Sequence, residues 1–125
     1  SMTMEVINEQ PKIPVFFNNP IVVLILGIVT CGLYLIYWNI KMAEVANALT
    51  GRETISTVIA ALAGLCWPIN LYFYLIMGRD VMPTLYNRLG TASNGDQTIL
   101  YAILGFFFPM VAAMLVQNEI NKLYE

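Results

Sequence analysis

Three long stretches of the chain carry no charge: residues 20–40, 55–78 and 97–117. At 1.5 Å per helical residue, about 20 apolar residues match a hydrocarbon core roughly 30 Å thick. Pro20 suits the first turn of a helix. Val22, Val23, Ile25 and Ile28 are β-branched and would suggest a strand in water. An open strand in lipid leaves its backbone groups unpaired, so helix is the better reading. Each stretch has a break, at Gly32, Pro68 or Pro109. The pattern predicts an all-α membrane protein of three kinked transmembrane helices, each with an amphipathic C-terminal extension.

The extensions follow from polarity beyond each break. Met42, Val45, Ala46 and Leu49 recur at helical spacing, Lys41 and Glu44 form a weak exposed pair, and Gly51 ends the helix as a left-handed cap. Glu53 or Thr54 opens the second element, whose Ala60, Ala61, Ala63 and Gly64 make a small face for packing. Pro68 should kink it just before the ring. Arg79 to Leu89, with Pro83 inside, is again amphipathic and stops at Gly90. Residues 91–96 read as a turn around Asn94-Gly95, with Asn94 or Asp96 free to cap the third helix. In the third extension Val116, Ile120 and Leu123 form an apolar stripe opposite Gln117, Asn118, Glu119, Asn121 and Lys122. That helix is expected to emerge into water. Residues 1–19 form a polar segment with Pro11 and Pro14, where a continuous helix is not expected, ahead of one helical domain over 20–125. Ile13 to Phe17 could dip into a headgroup zone. Ser1, ahead of Met2, reads as an expression remnant, and no signal peptide is visible.

The three elements share one layout, an apolar half, a break and an amphipathic half. Each ends in Asn-x-Leu, at Asn47–Leu49, Asn87–Leu89 and Asn121–Leu123. A weak threefold internal repeat fits this. Two topologies compete. If the three runs span, Lys12, Arg79 and Arg88 lie on one side, and Lys41, Arg52 and Lys122 on the other. The positive-inside rule then gives no orientation. If each break is the tip of a re-entrant hairpin, all loops face one side and the tie is expected. A hairpin tip leaves backbone groups unpaired in lipid unless protein surrounds it. The spanning arrangement is therefore favoured.

Composition strengthens the lipid reading. Hydrophobic residues make up 58% of the chain and charged ones 11%, against about a quarter charged in soluble domains. A soluble chain this short could not hide so much apolar surface. A net charge of −2 argues against a nucleic-acid partner. The absence of histidine excludes His-based triads and zinc sites. Cys31 and Cys66 lie in apolar runs and read as small buried hydrophobes. Neither a metal site nor a cofactor is expected. Tyr34, Tyr37 and Trp38 share one helix face, which reads as an interfacial aromatic belt or, with Thr30 and Gly32, as a packing or ligand-binding face. Asn70 is the most polar side chain within the second run and reads as helix-tying glue.

The pattern T-x-G-[hydrophobic]-Y-x-x-Y-W at Thr30 to Trp38 resembles the signature of an uncharacterised bacterial membrane family, domain of unknown function 4234. The ending V-Q-N-E-I-N-K-L at Val116 to Leu123 is similar to how many members finish. The resemblance covers roughly residues 17–124. Trp67-Pro68-Ile69-Asn70 departs from it at the second break. It implies a bacterial inner-membrane protein and contributes no activity. The chain is expected to be a non-enzymatic multi-pass scaffold or accessory subunit, in contact with membrane lipid and with a second copy or a membrane-protein partner. The alternatives are a homo-oligomeric channel or transporter, and a re-entrant hairpin protein that acts on the membrane or docks a partner. A lipid enzyme would have to use Glu44, Asp80 or Glu119, which read more simply as solvated caps and pairs.

Overall fold

The computed structural model describes residues 13–90 and 97–124. Residues 13–19 form no regular secondary structure and lead into α1 (Pro20–Val29), where Asn19 Oδ1 accepts from Ile21 N at 2.9 Å. After α1 come α2 (Tyr34–Thr50), α3 (Thr57–Ala63) and α4 (Trp67–Ile76). A π turn (Met77–Val81) joins α4 to α5 (Met82–Leu89). α6 (Thr98–Phe107), α7 (Pro109–Asn121) and a 3-10 turn (Lys122–Tyr124) complete the chain. No strand occurs among the described residues.

The expected transmembrane helices are absent. No helix of the described residues is long and apolar enough to cross a membrane. α1 and α6 have 10 residues each, about 15 Å of helix. α2 is longer, at 17 residues, but carries Lys41 and Glu44. The breaks are the physical cause, because they end helices and reverse the chain where kinks were expected. At the first, Gly32 N donates to Gly27 O and Cys31 N to Ile28 O, a Schellman closure. Cys31 (φ 55) and Gly32 (φ 88) take left-handed conformations there. Pro68 and Pro109 sit in the first turns of α4 and α7, where a missing N–H costs nothing. They start helices rather than bend them. The multi-pass placement and the transmembrane description drawn from the run lengths fall with this finding.

Each unit is instead a hairpin. The Tyr86 hydroxyl lies 3.4 Å from both Gln97 Oε1 and Glu119 Oε1, so the start of α6 and the end of α7 meet at one end. The leading helix of each unit packs on the returning helix of the unit before it: α3 on α2, α6 on α4, and α1 on α7 to close the circle. A glycine serves every one of these contacts. A Cβ at Gly64 would lie 2.9 Å from Ile36 Cα, one at Gly105 2.6 Å from the Tyr74 ring, and one at Gly27 3.1 Å from Met110 Cγ. Helices meet this closely only where a side chain is missing. The core runs through Trp38, Met42, Phe73, Tyr74, Met77, Met82 and Leu85.

Other local expectations are resolved as follows. Gly51 (φ 74) and Gly90 (φ 73) cap α2 and α5. Ser56, whose Oγ accepts from Val58 N at 3.2 Å, opens α3 in place of Glu53 or Thr54. Pro83 follows the π turn, where Met82 N reaches back to Met77 O. A proline has no N–H for the fourth carbonyl back, and the wider turn absorbs the misfit. The turn at residues 91–96, with its caps Asn94 and Asp96, and residues 1–12 lie outside the described residues.

Candidate functional site

The three tips, at residues 30–33, 64–67 and 107–109, gather at one end of the molecule. Trp67 and Phe106 stack edge to face across two of them, with centroids 4.8 Å apart. Met110 lies against Gly27 and Gly32, joining the third tip to the first. This end is covered with solvent-exposed apolar side chains. Leu33 (64%), Leu65 (69%), Phe107 (63%) and Phe108 (61%) stand exposed there. Ile21, Ile25 and Ile28 on α1, Val58 and Leu62 on α3, and Ile99 and Ile103 on α6 extend the surface up the leading helices. Exposed apolar side chains gathered in this way make the tip end the candidate interaction surface.

The charged side chains stay away from the tips. Lys41 is the first on α2, about 10 Å along the helix from Tyr34. Arg79 and Asp80 lie in the π turn, and Glu119 and Lys122 pair at the far end of α7. The charge-free end is thus about 10–15 Å deep, close to half of a roughly 30 Å hydrocarbon core. Two grooves open on it. One of about 340 Å³ lies between α1 and α7, walled by Leu24, Ile28, Phe107, Phe108, Met110 and Val111. The other, of about 330 Å³, lies between α4 and α6 and is lined by Leu71, Ala102, Ile103, Phe106 and Phe107.

Several backbone N–H groups at the tips are bonded locally, while the first turns of α4 and α7 carry no side-chain cap. The N–H groups of Thr30, Cys31, Gly32 and Leu33 bond to carbonyls of the same turn, as do those of Gly64, Leu65, Cys66 and Phe108. Tyr34 N donates to Thr30 Oγ1 at 2.9 Å, and that hydroxyl donates to Leu26 O at 2.6 Å. Thr30 is therefore a joint between α1 and α2. Gly32 supplies the turn beside it. Cys31 and Cys66, expected to be buried, are exposed at the tips.

The expected aromatic face is divided. Trp38 is fully buried, and its Nε1 donates to Gln117 Oε1 at 2.9 Å. Tyr37 is half exposed and lies beside Tyr34 (6.0 Å) and Phe16 (6.2 Å), with Lys41 Nζ 6.0 Å from its ring centroid. Asn70 Nδ2 donates to Gly105 O at 3.3 Å and ties α4 to α6.

The opposite end holds a polar clasp. Buried Gln117 donates from Nε2 to Phe16 O and to Asn121 Oδ1, both at 2.8 Å. Asn121 Nδ2 donates to Asn18 O at 2.7 Å. Tyr124 OH donates to Pro14 O at 2.8 Å and accepts from Phe16 N at 3.1 Å. Asn47 does the same work one unit on, with Nδ2 donating to Ile55 O at 2.8 Å and Oδ1 accepting from Ile55 N at 3.0 Å. In both places the Asn of the Asn-x-Leu motif grips the non-helical segment ahead of the next leading helix. The sequence pattern puts Gln117 and Asn121 on a solvated face, and the structure buries both. The helical spacing i, i+4 of two amides was the signal that they share a partner. Burial pushes the Tyr86 phenol above its usual range, and the charge of Glu119 and its hydrogen bond add to this. Among the described residues no group of His, Cys, Asp and Glu could hold a metal ion.

A family model described as "Domain of unknown function (DUF4234)" matches residues 18–122. The chain belongs to that family. The match takes in all three hairpins, from the Asn18 end of the clasp to Lys122. The family's description assigns no activity. No curated protein and no solved structure matches the chain.

Proposed function

We propose that this chain is a non-enzymatic docking scaffold that sinks its three hairpin tips into one leaflet of a lipid bilayer and holds its polar end outside. The observation that carries the reading is the charge-free apolar end about 10–15 Å deep, the thickness of one leaflet's hydrocarbon. The chief objection to a hairpin tip in lipid is an unpaired backbone. Local hydrogen bonds of the Thr30–Leu33, Gly64–Cys66 and Phe108 amides reduce that cost. Exposed Leu, Phe and Ile side chains supply the binding energy, at about 25 cal/mol per Å² removed from water. The charged residues of α2, α5 and α7 would then stand at or above the headgroups as a platform for a partner.

The native thiols test this. Cys31 and Cys66 are exposed at the tips and should react with a water-soluble maleimide in the free protein. Adding phosphatidylcholine vesicles should shield both and carry the protein upward in a density gradient. A cysteine placed at Arg52 should stay reactive throughout. Protein that fails to float, or tip thiols that stay open on the vesicle, would overturn the reading. Thiols shielded before vesicles are added would show that a second copy covers the tips instead.

A further inference from the structure

Residues 13–19 are held against the end of α7 chiefly through their main chain. Tyr124 OH donates to Pro14 O and accepts from Phe16 N, Gln117 Nε2 donates to Phe16 O, and Asn121 Nδ2 donates to Asn18 O. One side-chain bond adds to these, from Asn18 Nδ2 to Gln117 Oε1 at 3.4 Å. Val15 and Phe17, between the gripped residues, are exposed. The gripping side is held in place without the segment. Gln117 Oε1 accepts from Trp38 Nε1 at 2.9 Å, and Gln117 Nε2 also donates to Asn121 Oδ1 at 2.8 Å. The start of α1 is separate too. Asn19 receives the amides of Ile21 and Val23, and Gly27 seats the helix on Met110. Lifting residues 13–18 leaves both of these networks intact. Ordering one residue costs about as much as one hydrogen bond returns, and Ile13 and Phe16 add only partial packing on the core. The segment is therefore poised between bound and free.

We propose that Gln117, Asn121 and Tyr124 form a peptide-binding groove in which residues 13–18 are the resident ligand, and that a non-helical segment of another polypeptide takes their place when they lift. The groove reads carbonyls at alternate residues and a single N–H, that of Phe16. It accepts most side chains, and proline anywhere except the middle position, as Pro14 illustrates. Main-chain hydrogen bonds supply affinity in such sites. The groove lies at the end opposite the tips, so its occupancy does not depend on docking.

The experiment uses the full chain in detergent, followed by nuclear magnetic resonance, with an end-blocked synthetic peptide of residues 13–19 as the probe. In the chain alone, the Phe16 amide should exchange with solvent more than about tenfold faster than the Met42 amide of the core, and independently of low denaturant, as local opening requires. The peptide should shift the Trp38 Nε1–H resonance saturably and speed exchange at Phe16. Phe16→Gly keeps both main-chain groups, costs more to order and gives up the ring contact with Tyr37, so the resident segment competes less. The peptide should bind this variant at least about fivefold more tightly than wild type, in proportion to the open fraction. Methylating the peptide nitrogen at Phe16 should abolish most of the binding, whereas a peptide carrying Val15→Ala and Phe17→Ala should stay within about threefold. Phe16 exchange that occurs only through global unfolding overturns the proposal, because the segment then never leaves by itself. Equal peptide affinity for wild type and Phe16→Gly overturns it too, since the peptide then binds elsewhere. An unshifted Trp38 signal in Phe16→Gly, with Met42 exchange still slow, does the same.

Discussion

Gln117→Leu should be among the most damaging single changes far from the tips. The side chain is fully buried and takes part in four hydrogen bonds, with Trp38, Asn18, Phe16 and Asn121. Leucine keeps most of the volume and loses every bond. The Trp38 N–H, on a ring with no exposure, is left without a partner, at about 1–3 kcal/mol. The Asn121 Oδ1 atom loses its donor at a similar cost, partly offset because the other end of that amide still reaches Asn18 O. The Phe16 carbonyl sits in a half-buried segment and regains water. The apolar gain from leucine returns about 1 kcal/mol. The net loss is about 2–4 kcal/mol, a large share of the roughly 5–15 kcal/mol of a typical domain. Denaturant titration in fixed detergent measures it. Hydrogen exchange at Phe16, whose N–H is held by Tyr124, should accelerate as the segment 13–19 lifts. Tyr124→Phe serves as the control, since it removes bonds nearer the surface and should cost less than about 1.5 kcal/mol. A Gln117→Leu protein within about 0.5 kcal/mol of wild type, with Phe16 exchange unchanged, would refute the clasp.

Three further outcomes are expected. Cys31→Gly should stabilise the fold by about 1 kcal/mol in thermal or denaturant unfolding, because Cys31 holds φ 55 at a position that favours glycine. Gly64→Ala should lose about 1–3 kcal/mol through overpacking, since its Cβ would lie 2.9 Å from the Ile36 backbone; Gly51→Ala has open space and should lose only the strain of φ 74, about 1 kcal/mol, so equal losses would contradict the account. Stability should stay level up to about pH 10 and fall above it, because unfolded tyrosines then release protons that Tyr86 retains in the fold; Glu119→Gln should lower the Tyr86 pKa and soften that fall, read from phenolate absorbance and the unfolding midpoint.

Local chemistry was legible in the sequence and chain direction was not. Gly51 and Gly90 announce their caps because only a left-handed residue closes those helices cheaply. Gly32, Pro68 and Pro109 mark the breaks for equally local reasons. Whether a chain bends or reverses at such a point depends on which helix receives it, and that contact is remote. α1 lies on α7, some eighty residues away, by virtue of Gly27 against Met110. The burial of Gln117 and Asn121 has the same root. A polar stripe reads as solvated until the segment 13–19 is laid across it. The exposed tips were hidden by length, since an uncharged run of 21 residues looks alike whether it crosses a bilayer or turns halfway.

The closing of α1 on α7 has a consequence for connectivity. Two of the three junctions between units are backed by covalent chain, through residues 51–56 and 90–97, and the third is held by packing and by the bonds of Gln117, Asn121 and Tyr124. All three place a leading helix on its predecessor in the same way. The order in which the hairpins are written along the chain is thus incidental to the object they build. A rearranged chain that joins Tyr124 to Ile13 through a short linker and opens within residues 51–56 would keep every helix contact described here. In such a ring the ends of the polypeptide are a seam that can be moved.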